Sequence, residues 1–118
     1  MGGGKPDYSW AELMAVVLAR DFRDGELAMA GGARSEVAVA ACLLAQHLHA
    51  PNLTLITTGL FVNPHPKALC FSGPDYRYHR GCEAFGSFYD VFELSENGKL
   101  GFFCYNGIQM DKYGNVNL

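Results

Sequence analysis

The segment Leu53-Thr54-Leu55-Ile56-Thr57-Thr58, rich in β-branched residues and stopped by Gly59, constrains the fold more than any other stretch of this chain. Such a run reads as a buried strand. Ahead of it, Ser35 and Glu36 open a helix carrying Val37, Val39, Ala40, Leu43, Leu44 and Leu48, which Ala50-Pro51 closes. Apolar all round, that helix must pack on both sides. Earlier still, Glu26-Leu27-Ala28-Met29-Ala30 is short, mostly apolar and bounded by glycine at both ends, as a buried strand is. Strand, helix, strand in this order predicts a right-handed parallel crossover.

The remaining elements extend the alternation. Ser9-Trp10-Ala11-Glu12 forms a capping box and starts a helix, which Asp24-Gly25 stops. Leu13, Val16, Val17, Arg20 and Phe22 are expected to form its inward stripe. Pro64, Pro66, Gly73, Pro74 and Gly81 break residues 59–82 into a long functional loop, with one short element expected at Lys67–Phe71. Phe88, Val91, Phe92 and Leu94 mark a further helix, Glu96–Lys99 a turn, and Leu100–Tyr105 another buried strand. The predicted fold is α/β, three layers (α/β/α) around a mainly parallel sheet, with strands near 26–30, 53–58 and 100–105 and helices near 9–23, 35–49 and 87–95.

Several function classes are excluded by composition. Lys and Arg number 9 against 12 Asp and Glu, with no basic block, so nucleic acid is not an expected partner. The longest apolar run, Val37–Ala45, is far short of the roughly 20 residues a membrane helix needs. The Gly-rich start has no apolar core of a signal peptide; residues 1–8 are expected to be a flexible N-terminus, and a cytoplasmic location follows as the default. Cys42, Cys70, Cys82 and Cys104 are widely spaced and read as reduced thiols. His47, His49, His79 and Cys82 match no strong zinc spacing, so no metal is expected. Gly31-Gly32-Ala33-Arg34-Ser35 before a helix is either a plain turn or a cradle for a phosphate.

The segment Gly107-Ile108-Gln109-Met110-Asp111-Lys112-Tyr113-Gly114-Asn115-Val116-Asn117 is similar to the G-x-Q-x-D-x-x-G-N-x-N signature of B subunits in the glutaconate CoA-transferase branch of the class I CoA-transferase family. Upstream, Ala84–Glu93 resembles that branch's Phe-rich helix, and Ala50-Pro51-Asn52-Leu53 resembles its Ala-Pro lead into a central strand. The resemblance implies a partial, CoA-transferase-like B-subunit domain over residues 9–118, corresponding to the family's N-terminal half. The residues themselves leave a second reading open, since Asp111 to Asn115 also has the composition of a tight turn. Gln109, just past a buried strand, either faces a substrate cleft or bonds locally.

In the family's transferases a Glu of the B-type portion attacks the CoA thioester, dividing acyl transfer into two easier steps. Here Thr57 occupies that position. A hydroxyl needs an adjacent base to act, and none lies nearby in sequence. A sister branch, the ring-cleaving hydrolases of steroid breakdown, also lacks this Glu and carries its catalytic Glu in the A subunit. The resemblance therefore implies a β-type subunit acting on acyl-CoA thioesters, hydrolase-like, lyase-like or CoA-transferring, beside an A-type partner. The alternative is a non-catalytic partner subunit. Substrate or CoA contacts fall on Thr58, Gly59, Gly107, Gln109 and Asp111, with coenzyme A thioester as substrate and no permanently bound cofactor. Phe61, Phe71, Tyr76, Tyr78 and Tyr89 form an aromatic set too large for the surface of a small monomer, and a homo-oligomer or complex is expected.

Overall fold

The computed structural model describes residues 4–31 and 34–117. Its elements follow the order β1 (Leu27–Ala30), β2 (Thr54–Thr57), β3 (Phe61–Val62), β4 (Ala84–Phe85) and β5 (Phe102–Cys104), with helices α1 (Trp10–Asp21), α2 (Glu36–Leu48) and α3 (Phe88–Glu96). These strands make one sheet in the order β4-β3-β2-β1-β5. β1 runs parallel to both β2 and β5, while β3 and β4 add antiparallel pairs at one edge. A separate hairpin, β6 (Gln109–Met110) with β7 (Val116–Asn117), follows β5.

Alternation along the strands splits the interior into two layers. Ala28, Ala30 and Leu55 pack with Ala19, Phe22, Val39, Ala41, Cys42 and Ala45 of the α1–α2 side. Met29 and Ile56 face the other way and pack with Leu60 and Val91, the latter on α3. The three-layer α/β arrangement with parallel central strands is thus observed. Its parallel strands are apolar on both faces because both faces are covered.

Capping sets the helix starts. Ser9 and Glu12 form the expected reciprocal box, and Ser87 with Asp90 forms a second one that opens α3. The inward stripe of α1 differs from the expected one. Ala19 and Phe22 are buried, with Ala15 and Leu18 against them, whereas Leu13, Val16 and Val17 face outward together with Trp10 and Met14. Every face of α1 carries apolar residues, so periodicity does not choose among them. Ala15 and Ala19 offer the smaller surface, which lets α1 approach the alanines of α2 closely. Phe22 then packs against Phe102 of β5, the ring centres 4.7 Å apart and the planes tilted by 60°.

The 59–82 loop also departs from expectation. Lys67–Phe71 forms no regular element; the short elements are β3 and a single 3₁₀ turn at Tyr76–His79. Tyr78 and Phe61, expected at the surface, are buried, at 0% and 7% exposure. The Tyr78 hydroxyl accepts from the Cys70 N–H and donates to the Cys70 carbonyl, both at 3.1 Å, and so fixes a segment too rich in proline for a ladder of its own. Phe71, Tyr76 and Tyr89 are exposed as expected. All four cysteines are free, and burial pushes the Cys42 and Cys104 thiols up, away from the reactive thiolate.

Asn63 ties the loop to the sheet. It takes a positive φ of 46°, and its side-chain oxygen accepts from the Leu55 N–H at 2.9 Å and from Gln46 Nε2 at 3.1 Å. Asn63→Ala leaves the Leu55 amide without its acceptor and places alanine in a left-handed conformation, an expected cost of about 2–3 kcal/mol. Urea denaturation of the variant against the wild type measures it.

Candidate functional site

Among parallel strands, a crevice opens where successive connections leave on opposite sides. β1 lies between β2 and β5, so that point falls at the carboxyl ends of these three strands. The backbone there is crowded. The Gly31 N–H donates to the Cys104 carbonyl at 2.9 Å, and a Cβ on Gly31 would stand 2.9 Å from Thr58 Cγ2 and 3.1 Å from the Phe103 ring. Only glycine fits. Thr57 to Leu60 forms a tight turn, closed by the Leu60 N–H to the Thr57 carbonyl at 2.7 Å, with Leu60 at φ 66°.

Two clefts flank this edge. One of about 310 Å³, on the α1–α2 side, is lined by residues that include Leu18, Arg34, Ser35 and Phe103. The other, about 570 Å³ on the α3 side, is mainly apolar, with Phe88, Phe92, Leu100 and Phe103 along its walls and Thr58 and Ser72 among its polar groups. The expected cradle at Gly31–Ser35 includes Gly32 and Ala33, which lie outside the described residues. Arg34 holds φ 56° and places its guanidinium 5.3 Å from the Phe71 ring centre.

Several buried polar atoms are unsatisfied around this end of the sheet and the start of α2. Ser35 Oγ, Thr57 Oγ1, Thr58 Oγ1 and Glu36 Oε2 are all buried without a hydrogen-bond partner. Each such group costs about 1–3 kcal/mol, so four of them are not the pattern of a plain core. Thr57 is wholly buried and pairs across the sheet with Ala30. Sequence parity with Leu55 puts its side chain on the α1–α2 face.

Of the residues predicted from sequence, Thr57, Thr58 and Gly59 come together at this edge. Gly107, Gln109 and Asp111 belong to the β6–β7 hairpin. A Cβ on Gly107 would collide with Val116, so glycine is required there for close strand approach. Gln109 Oε1 accepts from Asn117 Nδ2 at 3.2 Å, and both residues line a shallow cleft with Met110, Asp111 and Asn115. None of these lines the Thr58 cleft.

Asp111 organises the hairpin turn. Its carboxylate accepts from the Tyr113 and Asn115 N–H groups at 2.8 and 2.9 Å and from Asn115 Nδ2 at 2.7 Å. The Asn115 side chain and backbone hold this carboxyl below its ordinary value. A depressed folded pKa means the turn's stabilisation is full above the ordinary aspartate range and lost as pH falls through the lower folded value. The Tyr113 and Asn115 amide resonances should therefore shift on acidification, and Asp111→Asn should abolish that titration.

From sequence Ser35 reads as a helix cap and as part of a turn or phosphate cradle, and Gly73 as a loop breaker. They lie far from Thr58 along the chain, and no local pattern links the three. Among the described residues no group of three or more His, Cys, Asp or Glu side chains converges, and no helix is long and apolar enough to cross a membrane.

No family model and no curated protein matches the chain. Solved structures do. The decarboxylase AibA/AibB superposes with a TM-score of 0.83 at 28% identity, covering 94% of this chain and 46% of that one. A variant of the same decarboxylase gives the same values. Glutaconate coenzyme A-transferase from Acidaminococcus fermentans superposes with a TM-score of 0.74 at 23% identity, over 94% of this chain and 44% of that one, a likeness of fold. The chain thus spans less than half the length of the solved chains it matches.

Proposed function

We propose that, over the length it shares with these structures, this chain is a member of the class I CoA-transferase family and a β-type subunit of an enzyme acting on acyl-CoA thioesters, working beside an A-type partner. The observation that carries this reading is Thr57. It ends β2 at the position where the family resemblance implies a nucleophilic Glu, and it is buried with an unpartnered hydroxyl. Covalent transfer requires an activated nucleophile, and a wholly buried threonine without a hydrogen-bonded base is not one. Chemistry that needs no glutamyl-CoA intermediate on this chain is favoured, hydrolase-like or lyase-like. The likeness to the decarboxylase AibA/AibB supports the lyase-like form.

In this reading Thr58 and Gly59 border the acyl-CoA, while Gly107, Gln109 and Asp111 contribute from the hairpin once an A-type subunit is docked. Outward-facing Trp10, Met14, Phe88 and Phe92 and the hairpin's Ile108, Met110 and Tyr113 leave ample apolar surface for association, with an A-type subunit or a second copy. A non-catalytic partner subunit is the competing reading, favoured by the burial of Thr57.

Incubation with acyl-CoA, alone and with an A-type subunit of the family, separates them. The proposal expects conversion of the acyl-CoA only in the mixture, without CoA appearing on an added acid acceptor. If a Thr57→Val subunit and the wild type support this conversion equally, Thr57 has no chemical role. If the A-type subunit turns over at the same rate without this chain, the chain is not part of the site.

A further inference from the structure

Ser35 stands immediately before α2, where an N-cap serine normally accepts a backbone N–H, yet its hydroxyl makes no such bond. It is 3% exposed and has no other partner. Thr58 likewise buries an unpartnered hydroxyl. The two converge on one point. A Cβ on Gly73 would lie 2.9 Å from Ser35 Oγ, 3.3 Å from the Ala30 carbonyl oxygen, and hard against Thr58 Oγ1. Gly73 is therefore a thin roof over two hydroxyls. The Gly59 N–H donates to its carbonyl at 3.2 Å, and the Asp75 N–H closes the turn on the Ser72 carbonyl at 3.1 Å.

Hydroxyl donors converging beside the N-terminus of a helix recognise an oxygen acceptor. Two uncharged hydroxyls in a buried place offer no counter-charge, which leaves a neutral carbonyl as a better ligand than a carboxylate. Arg34 does not reverse this, because its guanidinium lies over the Phe71 ring. Thr58 also lines the apolar cleft of about 570 Å³, so an acyl group lodged among Phe88, Phe92 and Phe103 brings its carbonyl to the Gly73 roof.

Resting on the acyl-CoA reading above, we infer that Ser35 and Thr58 are hydrogen-bond donors to the thioester carbonyl oxygen of an apolar acyl-CoA, which displaces the Gly73 strap to reach them. Calorimetric titration of the whole chain with hexanoyl-CoA and with free CoA tests this. The wild type should bind hexanoyl-CoA more tightly than CoA. Thr58→Val and Ser35→Ala should each weaken hexanoyl-CoA by about fivefold, the equivalent of one neutral hydrogen bond, and leave CoA unchanged.

Neither variant should melt below the wild type when ligand-free, because neither hydroxyl has a bond to lose. Equal binding of the two ligands by the wild type, or variants that keep the full preference for hexanoyl-CoA, overturns the inference and leaves the acyl-CoA reading standing. Melting several degrees below the wild type also overturns it, since the hydroxyls would then be structural. Absence of binding by both ligands, with an A-type subunit present as well as without it, overturns the acyl-CoA reading itself, and the inference with it.

Discussion

Tyr78→Ala should abolish the folded state of this chain at room temperature. Tyr78 is 0% exposed and is the largest of the fully buried side chains. Removing a buried aromatic ring costs about 3–5 kcal/mol through lost burial and the cavity left behind. The change also strips the Cys70 N–H and carbonyl of their partner, about 1–3 kcal/mol for each buried group left unpaired. Small domains hold only about 5–15 kcal/mol in total. Burial raises the Tyr78 hydroxyl pKa, so the phenol stays neutral and both bonds persist through the neutral range. Tyr78→Phe keeps the ring and loses only the two bonds, and should fold with a loss of about 2 kcal/mol in urea denaturation. Equal stability of Tyr78→Phe and wild type would show that the hydroxyl does not hold the loop.

Thr57→Glu is expected to have the second largest effect, and in the direction opposite to a restored enzyme. Thr57 is wholly buried and its hydroxyl makes no hydrogen bond, so a carboxylate there meets no solvent and inherits no bond. Thr57 faces the α1–α2 layer, whose buried residues include Leu55, Val39 and Cys42. An unpaired buried charge costs several kcal/mol even after relaxation, and the extra volume adds strain, so a loss of about 4 kcal/mol is expected. Thr57→Val removes only the orphaned hydroxyl and should be neutral or stabilising by up to about 1 kcal/mol. Thermal melts of the two variants side by side give the contrast. A Thr57→Glu chain as stable as the wild type would mean that the β2 end opens readily enough to hold a carboxylate.

Much of the scaffold is legible in the sequence because local signals agree with one another. The β-branched run at 53–58 and the all-apolar helix at 35–49 place β2 and α2 within a residue or two, and the Ser9–Glu12 box fixes the start of α1. Legibility fails where several faces are equally apolar. On α1 the larger Leu13, Val16 and Val17 look like the core stripe, yet α2 presents alanines, and the close approach selects Ala15 and Ala19. It fails again in the 59–82 loop, where prolines hide the order imposed by a buried tyrosine hydroxyl on a backbone eight residues away.

The site divides the same way. Thr57, Thr58 and Gly59 are contiguous and stand out as a group, and the structure keeps them at one strand edge. Ser35 and Gly73 join Thr58 only through tertiary folding, and a serine that opens a helix reads as a cap until its hydroxyl is seen unpaired. The signature residues Gln109 and Asp111 explain themselves first as parts of a hairpin, through Asn117 and Asn115.

The central claim is that this chain takes part in acyl-CoA chemistry without carrying the covalent nucleophile. Intact-mass spectrometry of the chain, sampled while an acyl-CoA is consumed in the presence of an A-type subunit, tests it most directly. The account predicts conversion of the acyl-CoA with the mass of this chain unchanged throughout. An O-acyl ester on this chain that is lost in a Thr57→Val variant, or a CoA thioester on one of its carboxylates, would contradict it.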